Sequence, residues 1–179
     1  GHPALMAGLQ PADRSRDAFV ARPRLGIITG SGPEAGMDMW AKLLEENRQR
    51  LGPAFRGDLD APALSIISEP ELGLSMELEK TEEQVWQVLR DAIYQLNGRV
   101  SAFCIACNTL NLFAERIQAL ELHSEFISFA DVLRAYLQRS GVQRVCLLGA
   151  RPVAELGAWS PYRALQEVVE FETLAEPQR

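Results

Sequence analysis

The chain has 179 residues, 47% of them hydrophobic and 23% charged, which describes a globular protein with one full domain and part of another. A net charge of -6 and the lack of a Lys/Arg cluster argue against a nucleic-acid partner, whose binding rests on neutralising phosphates. No apolar run approaches the roughly 20 residues that span a bilayer, and no basic segment leads into an apolar core at the start, so a cytoplasmic protein with no membrane partner is expected.

Residues 1–22 mix Pro and Gly with the run Ala12-Asp13-Arg14-Ser15-Arg16-Asp17, lack sustained apolar periodicity, and read as a flexible leader. Arg24 to Thr29 reads as a short apolar strand that Gly30-Ser31-Gly32-Pro33 turns into a helix. Pro33 suits the first helical position and leaves the N–H groups of Glu34 and Ala35 free to meet an anion. Met37, Trp40, Leu44 and Leu51, with Leu43 beside them, give that helix its apolar stripe. Gly30-x-Gly32-x-x-Ala35 also fits the dinucleotide fingerprint. That reading is weak, because Arg50 and Leu51 stand about 20 residues on, where an acidic group should hold the ribose, and Pro33 removes a donor from the phosphate cradle.

Gly52 to Pro62 is a loop and Ala63 to Ile67 a second strand. Ser68 to Met76, with Pro70 and Gly73, is a second loop at a carboxyl edge, so Ser75 can reach the same cleft as the first turn. Thr81-Glu82-Glu83-Gln84 has the form of a capping box, followed by Val85, Val88, Leu89, Ala92 and Leu96 on one helical face and by the terminator Asn97-Gly98.

Val100 to Ala106 carries no charge and reads as a strand buried on both faces, while Leu110, Phe113, Ile117 and Leu120 recur at helical spacing. Cys107, Asn108 and Thr109 therefore fall at a strand-to-helix corner. Such corners lie at the carboxyl ends of parallel strands, where ligands bind and the next helix offers free N–H groups. A thiol there is expected to be the most reactive of the three cysteines, because helix N-termini lower a thiol pKa from about 8.5. The alternative is a buried apolar cysteine that merely caps the strand. Cys104 and Cys107 have C-x-x-C spacing, but extended chain puts their Cα atoms roughly 10 Å apart, beyond the limit of about 7 Å for a disulfide. His2 and His123 are the only histidines, so a four-ligand zinc site is not expected and no metal is assigned.

Phe126 to Phe129 reads as a fourth strand and Ala130 to Leu137 as a helix ending near Ser140-Gly141. Asp131 either faces the cleft or, as aspartates at helix starts usually do, caps the helix. Arg144 to Leu148 is a fifth strand, with Cys146 read as core packing inside Val145-Cys146-Leu147-Leu148. It leads to Gly149 and the turn Ala150-Arg151-Pro152-Val153, where Arg151 is either an anion contact or a solvated surface side chain. Leu156, Tyr162 and Leu165 suggest a helix, and Val168 to Leu174 a sixth strand with too little after it to complete a sheet. Strands alternating with amphipathic helices predict a doubly wound α/β domain over residues 23–140, its parallel sheet in the order 2-1-3-4, and an incomplete second α/β domain over 141–179. An apolar face left by the missing elements would favour self-association and allows a homodimer.

Cys107-Asn108-Thr109 after an apolar strand, with Gly30-Ser31-Gly32-Pro33-Glu34-Ala35 after the first strand, resembles the aspartate/glutamate racemase family over nearly the whole chain after residue 23. The resemblance implies an isomerase that uses no cofactor, built from two similar α/β domains that each supply one catalytic cysteine to the cleft between them. It implies a small amino acid or related carboxylate as ligand, Cys107 as one acid/base group, and Ser31, Gly32, Asn108 and Thr109 holding the substrate's charged groups. Two thiols suit the task, since a thiolate is a usable base and a thiol a usable acid near neutral pH. Ser75 stands near the place of the family's carboxylate-binding arginine, and the turn after the fifth strand lacks the family's threonines. The second cysteine is not found, the second domain being truncated on this reading. Two readings follow: an amino-acid racemase seen as an incomplete chain that is inactive as it stands, or a racemase-fold protein that does not racemise, either a ligand-binding module or a one-thiol enzyme such as a decarboxylase.

Overall fold

The computed structural model describes residues 23–173, so the expected leader and Leu174 of the expected sixth strand lie outside the described residues. Strands β1 (Arg24–Thr29), β2 (Ala63–Ser68), β3 (Ala102–Ile105) and β4 (Glu125–Phe126) form one sheet in the order 2-1-3-4. Every pairing in it is parallel, with Arg24 beside Ala63, Leu25 beside Ala102, and Ala102 beside Glu125. The α/β architecture and strand order read from the sequence are present.

Helices cover both faces. Helices α1 (Pro33–Leu51) and α4 (Phe129–Ser140) close one side, where Leu25, Ile27, Leu43, Ala102, Cys104 and Ile127 pack together. Helix α2 (Leu78–Leu96) closes the other, with a 3-10 turn at Thr109–Phe113 that runs into the short α3 (Ala114–Gln118). Phe103 and Ile105 of β3 join that second layer beside Ile28, Leu89, Ile93 and Phe113. Alternate residues of β3 thus enter opposite layers and all four are buried, which is why the strand carries no charge.

Three local expectations are corrected. The buried stripe of α1 is Gly36, Leu43, Asn47 and Leu51, while Met37 is 69% and Trp40 45% exposed. The rotation follows from Thr29, whose hydroxyl accepts the Gly36 N–H at 3.1 Å and so fixes which side of α1 meets β1. Helix α2 starts at Leu78, not at a capping box on Thr81, because buried Leu78 anchors the first turn. The Thr81 hydroxyl, already inside the helix, donates to the carbonyls of Leu74 (2.8 Å) and Glu77 (2.9 Å). The cap of α4 is Ser128, whose hydroxyl accepts the Asp131 N–H at 3.4 Å; Asp131 is exposed in the first turn.

Beyond α4, β5 (Arg144–Cys146) and β6 (Glu170–Glu172) pair in parallel as a two-stranded sheet. Between them the expected regular helix is a short α5 (Arg151–Ala154), a left-handed residue at Leu156 (φ 56°) and a 3-10 turn at Arg163–Glu167. Val153, Tyr162, Leu165 and Val169 pack with Leu137 of α4 into a third cluster. Cys146 is exposed rather than core, because this short sheet turns one face to that cluster and only Val145 of β5 points that way. Arg151 is a surface side chain paired with Glu155 at 3.4 Å. Among the described residues no helix is long and apolar enough to cross a membrane.

Candidate functional site

Neighbouring strands β1 and β3 send the chain in opposite directions, β1 towards β2 and β3 towards β4, which makes the crevice beyond their carboxyl ends the topological switch point. A cavity of about 420 Å³ opens there, lined by Ser31 after β1 and by Cys107, Asn108 and Thr109 after β3. Met39 and Phe129 add apolar wall, and Gly149, Ala150 and Val153 close the far side. Its size suits a small molecule, for which pockets of about 300–1,000 Å³ are usual.

The first wall depends on backbone that only glycine permits. Gly30 has φ 127°, and a Cβ on it would lie 2.1 Å from the Glu69 carbonyl oxygen, so the β1 turn rests directly against the end of β2. Gly32 (φ 75°) caps α1 just before Pro33; it shapes the turn but is not part of the cavity lining. The Ser31 hydroxyl meets that of Ser75 at 2.8 Å. Ser75 is buried in the 3-10 turn Pro70–Glu77 and lines an adjoining cavity of about 260 Å³ that shares Met76, Thr109 and Ala150 with the first. The structure therefore gathers Ser31, Cys107, Asn108 and Thr109 around one space, with Ser75 reaching it through Ser31.

The second wall is held by a residue that spacing did not single out. The Cys107 N–H donates to the Ile105 carbonyl at 2.8 Å, folding the chain sharply at the end of β3. Buried Asn111 locks that fold, its Nδ2 donating to the carbonyls of Ile105 (3.1 Å) and Cys107 (2.8 Å) and its Oδ1 accepting the Phe129 N–H at 2.9 Å. A polar residue inside Leu110-Asn111-Leu112-Phe113 was the only sign of it in the sequence. The helix expected to activate Cys107 is a five-residue 3-10 turn followed by the five-residue α3, so fewer aligned peptide dipoles act there than in a long helix.

The three cysteines are all free and meet different surroundings. Cys104 is sealed in β3, and burial pushes its thiol pKa up to about 12. Cys107 is half-buried at the cavity, and Cys146 is exposed on β5. Tyr162, counted in the sequence only for its apolar body, is 2% exposed and donates its O–H to Asn108 Oδ1. Burial, with a smaller contribution from Cys107, raises the phenol's pKa to about 12, so it keeps its proton. Asp38 and Lys42 of α1 line the rim and pair with each other. Among the described residues no arginine lines the cavity, and no group of three His, Cys, Asp or Glu side chains could hold a metal ion. The arrangement can hold a small polar molecule by hydrogen bonds while one thiol exchanges a proton with it.

Solved structures share this arrangement of elements. An aspartate racemase homologue from Pyrococcus horikoshii matches with a TM-score of 0.70 and 23% identity, over 87% of this chain and 66% of that one. The fold is that of aspartate racemase homologues. The aspartate racemase of Picrophilus torridus matches with a TM-score of 0.66 and 20% identity, over 84% of this chain and 62% of that one. This chain thus spans just under two thirds of the length of those proteins. No protein-family profile matches it, and no curated protein does.

Proposed function

We propose that the cavity at the ends of β1 and β3 binds an amino acid or related small carboxylate and that Cys107 exchanges a proton with its α-carbon. One observation carries the reading: a half-buried thiol shares a cavity with Ser31, Asn108 and Thr109 at the switch point of a racemase-like fold. As thiolate, Cys107 would take the α-proton and leave a carbanion whose charge spreads into the carboxylate. Hydrogen bonds from the Asn108 amide and the Ser31 and Thr109 hydroxyls would stabilise that charge in place of a cofactor. Inversion needs a second acid on the opposite face. In an amino-acid racemase of two thiols this would be another cysteine, and among the described residues neither Cys104 nor Cys146 lines the cavity.

The single thiol favours a second reading, a racemase-fold protein that does not racemise. Decarboxylation is then the natural chemistry: the bond to one carboxylate breaks, carbon dioxide leaves while the bonding electron pair stays on the substrate carbon, and that carbanion takes its proton from the Cys107 thiol on one side only. Ligand binding without turnover is the remaining form of this reading.

The test follows label and chirality together. The chain and a Cys107→Ser variant are incubated in heavy water with L-aspartate, L-glutamate and several neutral amino acids. The expected result is deuterium at the α-carbon without efficient inversion, reduced by about 10²- to 10⁴-fold in the variant, the usual worth of a positioned acid/base group. Acidic substrates should have no advantage, since among the described residues no guanidinium lines the cavity to meet a second carboxylate. Inversion at an enzymatic rate that depends on Cys107 would show a second acid within this chain, and absence of label from every amino acid would overturn α-proton transfer.

A further inference from the structure

Asn108 lines the cavity with an exposed amide whose two ends are chemical opposites, since Oδ1 accepts hydrogen bonds and Nδ2 donates two. Which end faces a ligand decides whether this residue attracts or repels a carboxylate. Tyr162 makes that choice. Its ring is buried with Leu137, Val153, Leu165 and Val169 against α4, its backbone N–H donates to buried Ser160 Oγ at 3.3 Å, and its O–H donates to Asn108 Oδ1. With Oδ1 occupied, Nδ2 has no protein acceptor among the described residues.

We infer that Tyr162 is a positioning residue of this site, holding the Asn108 amide so that Nδ2 faces the cavity as a donor to a ligand carboxylate. The inference rests on the reading that the cavity binds a carboxylate. Tyr162 comes from the segment between β5 and β6, 54 residues along the chain from Asn108, so that segment orients a group standing at the end of β3. The phenol's raised pKa agrees with the role. A protonated phenol can donate to Oδ1, as it does here, whereas a phenolate can only accept and would turn the amide round to present Nδ2.

The test uses Tyr162→Phe, which keeps the ring and removes the O–H, in ¹⁵N-labelled protein, with Asn108→Ala to identify the side-chain signal. In the unchanged protein the Asn108 side-chain amide should reorient as slowly as the backbone by ¹⁵N relaxation, because the phenol holds Oδ1. In Tyr162→Phe it should reorient freely, while the Asn47 and Asn111 amides and the melting temperature stay in place. A second arm measures how well sodium malonate slows alkylation of Cys107. Protection, measured against each protein's own rate without malonate, should need about tenfold more malonate in Tyr162→Phe, as expected for weakening one hydrogen bond to a charged group. Asn108→Asp keeps the phenol's acceptor but removes the donor, and it should lose protection too. An Asn108 amide that reorients freely in the unchanged protein, or one indifferent to Tyr162→Phe, would overturn the inference. If malonate protects neither protein while the amide still responds, the carboxylate site is overturned and only the hold of Tyr162 on Asn108 survives.

Discussion

Cys104 and Cys107 are three residues apart, yet one is sealed between sheet and helix while the other faces a cavity. Iodoacetamide near pH 7 should modify Cys107 and Cys146 in the folded protein and reach Cys104 only on unfolding, as read by mass spectrometry of digested fragments. Labelling of Cys104 at a rate comparable to the others would contradict its burial. The place of Cys107 was legible because an uncharged strand stops abruptly at a thiol, an amide and a hydroxyl. Cys146 was not legible, because Val145-Cys146-Leu147-Leu148 looks the same whether its sheet is covered on both faces or on one. Asn111 and Tyr162 escaped for another reason: their hydrogen-bond partners Phe129 and Asn108 lie 18 and 54 residues away in the chain, beyond the reach of any periodicity.

The join between β1 and α1 is governed by contact at the scale of single atoms. A Cβ on Gly36 would lie 2.4 Å from Thr29 Cβ, close to the backbone of β1 and unable to move aside. Gly36→Ala should therefore destabilise the protein by about 1–3 kcal/mol through overpacking. A Cβ on Gly32 meets nothing within 4 Å, and Gly32→Ala should cost only the left-handed backbone strain of about 1–2 kcal/mol. Urea unfolding of the two variants measures both, and only Gly36→Ala should also alter Cys107 alkylation, by shifting α1 against the cavity. An unaffected Gly36→Ala would mean that α1 is not seated on Thr29. Strand order was readable from alternating patterns, but the facing of α1 was not. Met37 and Trp40 make a plausible apolar stripe, and only the Thr29 to Gly36 hydrogen bond turns the helix away from it.

Across the molecule, burial among the described residues raises the pKa values of two groups that are neutral when protonated, Cys104 and Tyr162, to about 12. In the unfolded chain they titrate near about 8.5 and about 10. The unfolded state therefore releases these protons first, and the stability they contribute is complete below about pH 8.5 and falls as pH rises towards 12. Urea midpoints measured at rising alkaline pH should decline through this window, and Tyr162→Phe should remove the part of the decline that begins near pH 10. A midpoint independent of pH from 8 to about 11.5 would show that neither group is sealed as described. The same architecture bears on how the chain reaches its native state. Every ladder among the described residues is parallel, so none can begin as a hairpin: Arg24 must find Ala63, Leu25 must find Ala102, and Arg144 must find Glu170. Folding has to close long loops before any strand contact repays them, so its rate is set by that search and not by the quick local turns that start an antiparallel sheet.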